Sequence, residues 1–325
     1  MSIDHIDSVD VIGSVMRSEP TPDVSGTAVW ENIGKTPLLR LDQFAPELSE
    51  EVQMYAKAEW VNPGGSVKDR PALHMILQAE RSGQLTEDTI LLDASSGNTA
   101  LAYAMIGAAK GYQVKLCVPG NVSQELIRTL RAYGTDLILT DPREGSDGAI
   151  GEAQAIYHDN PDSYCYLDQY TNPANWRAHY RTTGVEIWQQ TNGQITHFVA
   201  GLGTSGTFIG TGRRLKELNE HIKLISVQPE SPLHGLEGLK HMATAIVPGI
   251  YDEKLADQAI AVSTEDAQIM VKRLAREGGI FAGVSSGAAA FASLQVAKSL
   301  ESGVVVTIFP DSGRRYIHEK FWENE

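Results

Sequence analysis

Short apolar runs alternate along most of the chain with longer segments that have helical periodicity. The runs are rich in valine, isoleucine, leucine and alanine, which is typical of strands buried on both faces of a parallel sheet. Strands are predicted at 53–57, 90–93, 114–118, 137–140, 164–167, 195–200, 224–227 and 304–309. Helices are predicted at 71–82, 99–110, 124–132, 149–158, 177–190, 208–218, 266–276 and 288–299. This alternation predicts an α/β fold in which helices flank parallel-rich, twisted sheets.

The chain is long enough for two domains, because 325 residues exceed the size of one ordinary hydrophobic core. We expect a polar N-terminal extension at 1–29, a smaller α/β domain at 50–170, and a larger one formed by 30–49 together with 171–325. Two such domains predict a cleft between them. Residues 231–254 are the least regular part, and we interpret them as a loop or lid over that cleft.

The composition excludes several classes of protein. Hydrophobic residues make up 42% of the chain, which is enough for sizeable buried sheets. The net charge of −14, from 41 acidic and 27 basic residues, gives a surface that repels nucleic acid and anionic membranes. Every apolar stretch is shorter than the ~18 residues of a membrane span, and the acidic N-terminus lacks the pattern of a signal peptide. We therefore expect a cytoplasmic protein whose partners are small molecules.

Cysteine and histidine are sparse along the chain. Cys117 and Cys165 lie in apolar runs, so we predict buried small hydrophobic residues and not a disulfide framework. The nine histidines show no metal-ligand spacing, and we expect no metal site.

A glycine-rich turn at 201–207, Gly-Leu-Gly-Thr-Ser-Gly-Thr, joins a predicted strand to a predicted helix. Its glycines allow backbone N–H groups to approach an anion, and the helix N-terminus adds partial positive charge. The turn therefore predicts a phosphate site. Its spacing also matches the G-x-G-x-x-G of nicotinamide-dependent dehydrogenases, with Glu230 at a plausible ribose position, but that alternative gives Lys68 no role.

Lys68 lies in a second glycine-rich turn, Pro-Gly-Gly-Ser-Val-Lys-Asp-Arg at 63–70, just before a predicted helix. The positive end of a helix disfavours an ammonium group and so favours the neutral amine that forms a Schiff base. The spacing does not fit a Walker phosphate loop, and an ordinary surface lysine is the alternative. Together with the glycine-rich turn at 201–207 and Ser-Ser-Gly-Asn-Thr at 95–99, this segment indicates pyridoxal 5′-phosphate as the cofactor.

Five motifs in order resemble those of the cysteine synthase group of fold-type II pyridoxal-phosphate enzymes, whose fold is like that of the tryptophan synthase β-subunit. The resemblance covers about residues 30–317, and Gly-Lys-Thr-Pro-Leu at 34–38 adds to it. Lys-Asp-Arg-Pro-Ala at 68–72 is similar to the B-type cysteine synthases and the O-phosphoserine sulfhydrylases. The motifs are the segments at 62–70, 96–99, 172–175, 203–207 and 283–287.

The resemblance assigns a role to each site residue. Lys68 would form the Schiff base with the cofactor and act as the catalytic base, Asn98 would bind the phenolic oxygen, and Ser285 would face the pyridine nitrogen. Ser96, Asn98 and Ser285 have the alternative role of helix caps. The cofactor phosphate would be held by Gly203, Thr204, Ser205, Gly206 and Thr207, and the substrate carboxylate by Ser95, Ser96, Thr99 and Gln169.

Three positions bear on the reaction and on substrate choice. A neutral hydroxyl at Ser285 would leave the ring a weaker electron sink, which suits β-elimination and β-replacement. Lys240 stands about where the resembled enzymes carry an arginine, and a lysine meets a phosphate or carboxylate without the bidentate fork. Ser205 replaces the usual glycine of the phosphate-binding turn.

The resemblance implies that the protein forms L-cysteine from sulfide and an O-activated L-serine, either O-acetyl-L-serine or O-phospho-L-serine, and that it is a homodimer. Another β-eliminase or β-synthase, similar to cystathionine β-synthase or serine/threonine dehydratase, is an alternative with the same cofactor. A non-catalytic pyridoxal-phosphate protein that regulates a partner is a further one. The sequence leaves the leaving group and the sulfur donor open.

Overall fold

Two β-sheets organise the protein in a computed structural model, which describes residues 26–41 and 43–323. The predicted extension at 1–29 lies mostly outside the described residues. The strands are β1 Leu38–Arg40, β2 Val52–Ala58, β3 Ile90–Ala94, β4 Val114–Pro119, β5 Asp136–Thr140, β6 Tyr164–Tyr166, β7 His197–Gly201, β8 Lys223–Pro229, β9 Gln258–Val262 and β10 Gly303–Phe309.

The larger sheet has the strand order β1-β2-β10-β7-β8-β9, and the smaller sheet has the order β5-β4-β3-β6. Only the β1–β2 pair is antiparallel among these strands. Each parallel connection requires a crossover, which helices provide. The predicted α/β fold with parallel-rich sheets is thus confirmed.

Nine α-helices occur in the described part of the chain. Ser123, Asn172 and Ser263 cap three of them with side-chain oxygens that accept backbone N–H groups. Gly111, in the left-handed conformation, ends another. The helices are α1 Asp69–Ser82, α2 Asn98–Lys110, α3 Gln124–Ala132, α4 Gly145–Asp159, α5 Pro173–Arg181, α6 Thr183–Gln190, α7 Gly206–Leu218, α8 Thr264–Gly278 and α9 Val284–Lys298.

Both sheets are buried on two faces. Val305 and Val306, neighbours on β10, belong to separate cores on opposite faces of the larger sheet, the first against α8 and α9 and the second against α7. In the smaller sheet, Leu91 and Leu92 on β3 likewise belong to separate cores on opposite faces. The two cysteines are buried and free, as predicted. No helix of the described residues has the length and apolarity needed to cross a membrane.

The structure corrects parts of the sequence prediction. Strands β1 and β9 were not expected, and the single helix predicted at 177–190 is two helices that meet at Thr182. The lower limit of 50 for the smaller domain is wrong for β2, which pairs along its whole length with β10 in the larger sheet. That partner lies far along the chain, so local periodicity gives no sign of it. The division into two domains itself stays a prediction.

The carboxyl ends of three strands lead into the same region. The segment 95–97 follows β3, the segment 202–205 follows β7, and Pro310 and Asp311 follow β10. Ligands of open α/β sheets bind at this edge, in the crevice outside the carboxyl ends of the strands. The fold therefore places the predicted motifs around one crevice that both sheets border.

Candidate active site

A cavity of about 250 Å³ brings the predicted site residues together. It is lined by residues of β7 and β10, by segments that follow β3 and β6, and by the irregular segment 231–254. Gly206 is the one predicted residue that does not line it. The predicted residues that do are Lys68, Ser95, Ser96, Asn98, Thr99, Gln169, Gly203, Thr204, Ser205, Thr207, Lys240 and Ser285. The prediction missed five lining residues that carry polar groups, namely Ser146, Tyr170, Glu237, Asp311 and Tyr316.

Lys68 immediately precedes α1 and extends into the cavity. Its backbone N–H donates to Ser66 Oγ at 3.2 Å, and the N–H of Val67 donates to the carbonyl of Pro310 at 2.8 Å, which ties the turn to the end of β10. Burial lowers the pKa of Lys68, and the nearby carboxylate of Asp311 opposes this. The site thus favours a neutral amine more than water does, as a nucleophile or base requires.

A buried ion-pair network holds the start of α1. Arg70 lies two residues after Lys68, and its guanidinium contacts Glu59 at 2.7 Å and Glu186 at 2.7 Å. Lys57 reaches the same Glu186 at 2.7 Å. Burial alone would raise the pKa of Glu186, but the hydrogen bonds and charges of Arg70 and Lys57 lower it to about 2. The network fixes α1, and with it the lysine turn, to β2 and α6.

The phosphate loop, residues 203–207, can only be formed with glycines at two positions. A Cβ at Gly203 would lie 2.2 Å from the carbonyl oxygen of Gly238, and one at Gly206 would lie 1.9 Å from Asn175 Oδ1. Ser205 has a φ of 69°, the left-handed conformation that glycine adopts without strain. The expected substitution of serine for glycine is therefore tolerated at the cost of backbone strain.

Unpaired donors of the phosphate loop fit an anion. The backbone N–H groups of Gly203, Thr204 and Ser205 find no acceptor among the described residues. Ser205 Oγ is buried and also lacks a partner there. Donors without a partner point to an absent ligand, and these lie at the N-terminus of α7, where the helix adds positive potential. The loop thus fits the phosphate of pyridoxal phosphate.

Two residues of α5 support the phosphate loop. Asn175 Nδ2 donates to Thr204 Oγ1 at 3.2 Å and to the carbonyl of Gln169 at 2.7 Å. His179 Nε2 lies 3.3 Å from Thr207 Oγ1, and burial together with the charge of Arg70 keeps the pKa of this histidine well below its usual range. Because His179 is neutral, it adds no positive charge, and the positive potential at this site comes from the phosphate loop. The 172–175 motif contained Asn175, but its spacing alone did not indicate this role.

Residues 95–97 precede α2, and Asn98 and Thr99 are its first two residues. Ser95 Oγ accepts from the N–H groups of Gly97 and Ala100, each at 3.2 Å, so Ser95 satisfies the helix end. The side chains of Ser96 and Asn98 do not cap α2, contrary to the alternative for them. Ser96 Oγ instead accepts from Ser146 Oγ at 3.4 Å. The loop places hydroxyl and N–H groups at a helix N-terminus, which suits a carboxylate.

Asp93, a buried aspartate on β3, supports the segment 95–99. Asp93, on β3, accepts from Tyr103 Oη at 2.7 Å and from the N–H of Gln169 at 3.3 Å. Gln169 Nε2 then donates to the carbonyl of Ala94 at 2.8 Å. Burial raises the pKa of Asp93 to about 7, although its hydrogen bonds oppose the rise. The predicted substrate residue Gln169 is thereby fixed beside 95–99.

Asp311 lines the cavity, is 1% exposed and was not among the predicted site residues. Its Oδ2 accepts from Asn98 Nδ2 at 2.7 Å and from Tyr316 Oη at 2.6 Å. Burial raises the pKa of Asp311, while these two bonds and the charges of Arg315 and Lys68 lower it. Its position two residues after β10, at the carboxyl edge of a predicted parallel strand, was the signal that could have found it.

The remaining predicted residues line other walls. Ser285 is the second residue of α9 and is 6% exposed. Lys240 Nζ lies 4.9 Å from the ring centre of Tyr170, and burial lowers its pKa while Asp147 opposes this. Glu237, three residues earlier, has a pKa raised by burial and by Asp311. The segment 231–254 thus contributes one carboxylate and one ammonium group to the cavity; its role as a lid stays a prediction.

Two alternative chemistries find no structural support. Among residues 26–41 and 43–323 there is no cluster of three His, Cys, Asp or Glu side chains suited to a metal ion. Glu230, the candidate ribose ligand of a nicotinamide site, is exposed at the end of β8 and does not line the cavity.

Comparison with known proteins agrees with the site. Residues 29–311 match the family described as pyridoxal-phosphate dependent enzyme, and the chain belongs to this family. It is 53% identical over 290 residues to cysteine synthase of Aquifex aeolicus, covering 88% of this chain and 89% of that protein. It is 44% identical over 287 residues to cysteine synthase B of Escherichia coli, covering 88% and 93%. The crystal structure of cysteine synthase from Entamoeba histolytica superposes with a TM-score of 0.88 at 33% identity, covering 96% of this chain and 95% of that one.

Proposed function

We propose that this protein is a cysteine synthase that converts O-acetyl-L-serine and sulfide into L-cysteine with pyridoxal phosphate as cofactor. The observation that carries the proposal is the meeting of three groups in one cavity: the amine of Lys68, the phosphate loop and the N-terminus of α2. The cysteine synthases among the relatives support the same reaction.

The cofactor would be held by residues that line the cavity. Lys68 would bind it covalently, the phosphate loop would take its phosphate, and Ser285 and Asn98 would face its ring. When bound, pyridoxal phosphate withdraws electrons from the Cα of the substrate, so that a leaving group can depart from Cβ and a nucleophile can add there.

Lys68 would also move the proton. When its amine is free, Lys68 would accept the proton from the Cα of the bound substrate. The lowered pKa of this amine suits that task. Residues 95–99 would bind the substrate carboxylate, and closure of this loop on it would exclude water.

The charges in the cavity favour an acetyl over a phosphoryl leaving group. A phosphate dianion would meet Lys240, whose pKa is lowered by burial, and would share the cavity with the carboxylate of Glu237. An acetyl ester carries no charge at this position and meets neither penalty. A lysine also lacks the bidentate geometry with which arginine binds phosphate.

Steady-state kinetics with O-acetyl-L-serine, O-phospho-L-serine and sulfide test the proposal. We expect kcat/KM to be higher for the acetyl ester, and Lys240→Ala to change it less than threefold. A Lys68→Ala protein should show no turnover. A protein that binds pyridoxal phosphate but forms no cysteine from either ester would support the regulatory alternative, and a clear preference for the phosphoryl ester would overturn the substrate assignment.

One observation favours a second sulfur nucleophile. Glu237 and Lys240 place opposite charges on the same wall of the cavity. A zwitterionic amino acid that carries a thiol, such as homocysteine, complements such a pair better than sulfide does, as in the cystathionine β-synthase alternative. Product analysis with O-acetyl-L-serine and homocysteine would detect the thioether.

We also propose that the protein acts in the cytoplasm as a homodimer. The acidic surface, with a net charge of −14, supports a soluble setting, and the family resemblance supports the dimer. Light scattering on the purified holoenzyme would give the oligomeric mass.

A further inference from the structure

Asp311 connects the three segments that surround the cofactor site. Its backbone pairs with Ser66, two residues before Lys68, in an isolated antiparallel bridge. Its carbonyl accepts from the N–H of Gly283, two residues before Ser285, at 3.1 Å. Its side chain binds Asn98 at the start of α2. One buried residue is thus bonded to the lysine turn, to the segment before α9 and to α2.

The side-chain bond has a consequence for the amide of Asn98. An ionised carboxylate only accepts hydrogen bonds, so it must face the nitrogen of the amide and not the oxygen. The 2.7 Å bond uses one N–H of Asn98 Nδ2 and leaves the other for a group in the cavity. Asn98 Oδ1 is buried without a partner among the described residues. Without an acceptor oxygen at this position, either end of the amide could face the cavity.

The carboxylate itself is held in place. Tyr316 Oη donates to the same Oδ2 at 2.6 Å, and the backbone carbonyl of Tyr316 accepts from Trp322 Nε1 at 2.8 Å. On the other side, a Cβ at Gly283 would lie 2.1 Å from Asp311 Oδ1, so the absence of a side chain there makes room for the carboxylate. Asp311 is 1% exposed. These contacts hold Oδ2 towards Asn98, whereas Oδ1 has no partner among the described residues.

We propose that Asp311 is a positioning residue that turns the NH₂ group of Asn98 towards the phenolic oxygen of pyridoxal phosphate. The proposal rests on the proposed function only in taking Asn98 as a ligand of the cofactor. A donor at that oxygen stabilises its negative charge, whereas an amide oxygen there would repel it. Asp311 acts through Asn98, and its loss should therefore matter only when Asn98 is present.

A double-mutant cycle on cofactor binding tests this, with Asp311→Ala, Asn98→Ala and the double variant. The readouts are the visible absorption maximum of bound pyridoxal phosphate and its dissociation constant from fluorescence titration. We expect each single variant to shift the maximum in the same direction and to weaken binding about tenfold, the size of one hydrogen bond to a charged group. The double variant should be no worse than either single variant.

Two conservative variants keep the test decisive if Asp311→Ala does not fold. In Asp311→Asn, the hydroxyl of Tyr316 should keep the amide oxygen in the place of Oδ2, where it still accepts from Asn98, so the variant should keep the wild-type maximum, with binding within about threefold. Tyr316→Phe loosens the carboxylate and should shift the maximum only when Asn98 is present. Multiplied effects in the double variant, or an Asp311→Asn protein as damaged as Asn98→Ala, would overturn the proposal. A failure of the proposed function would show separately. The holoenzyme would then give the expected double-mutant cycle on cofactor binding but would form no cysteine from O-acetyl-L-serine and sulfide.

Discussion

Thr99 Oγ1 donates to Gln169 Oε1 over 2.9 Å, and this bond joins the start of α2 to the segment that follows β6. Gln169 is anchored in turn to the carbonyl of Ala94. The pair lies in the cavity wall where the substrate carboxylate is expected. Both side chains are buried, so their positions are set before substrate arrives.

The Gln169→Ala variant should bind the serine ester less well. It removes the partner of Thr99 and one hydrogen-bond donor from the wall, which is worth about 1.5 kcal/mol, or roughly tenfold in KM. Cofactor binding should stay within twofold, because the phosphate loop is intact. Steady-state kinetics and a pyridoxal phosphate titration measure the two effects. An unchanged KM would mean that the carboxylate binds elsewhere.

The strained serine of the phosphate loop gives a stability prediction. Ser205→Gly should raise the free energy of unfolding of the apoprotein by about 1 kcal/mol, because glycine adopts the left-handed conformation without a Cβ clash. Ser205→Ala is the matched control, since it removes the unpaired hydroxyl but keeps the Cβ. Urea unfolding would distinguish them, and equal stabilisation by both variants would assign the effect to the hydroxyl and not to the backbone.

Another cation should not be able to replace the guanidinium group of Arg70. In Arg70→Lys, one ammonium group cannot make the bonds that the guanidinium makes to both Glu59 and Glu186, and the loss of these buried charged hydrogen bonds should lower the free energy of unfolding by about 3 kcal/mol. Arg213→Lys is the control, because Arg213 pairs with Asp252 on the surface at 3.2 Å. That change should stay within about 0.5 kcal/mol. Similar losses in both variants would contradict a special role for the buried network.

The raised pKa of Asp93 predicts how the free energy of unfolding depends on pH. Its pKa is raised to about 7 in the folded state, from about 4 when unfolded, so its contribution is fully present below pH ~4 and is lost as the pH rises through ~7. In the wild-type protein, this proton should make the free energy of unfolding fall by up to about 1.4 kcal/mol per pH unit between pH 5 and 7. Asp93→Asn should lack this part of the fall. Denaturant unfolding at several pH values measures the slope. The same slope in both proteins would mean that Asp93 does not bind this proton.

The sequence predicted most of the fold because long Val/Ile/Leu runs and helical periodicity are local signals. It missed β1, which has three residues, and β9, in which only Ile260 and Val262 are buried. It also joined α5 to α6, because their periodicity continues across Thr182, whose hydroxyl bonds back to the carbonyl of Ala178. Such short or interrupted elements are decided by tertiary packing and not by pattern.

The candidate site was predictable where function constrains several neighbouring residues. The glycine-rich turns around Lys68 and Ser205 have a residue spacing that is found in few kinds of site. Residues of both turns line the cavity. Asp311 and Glu237 are single carboxylates whose importance comes from what the fold places beside them. Their neighbours Asn98 and Gly97 lie more than a hundred residues away in the sequence. No local pattern could have indicated those contacts.

The covalent attachment of the cofactor to Lys68 is the most direct measurement of the central claim. The holoenzyme, reduced with borohydride, digested and analysed by mass spectrometry, should carry one pyridoxyl group on the peptide that contains Lys68. Lys240 lines the same cavity and serves as an internal control. A pyridoxyl group on Lys240, or an unmodified Lys68 in a protein saturated with cofactor, would contradict the proposed site.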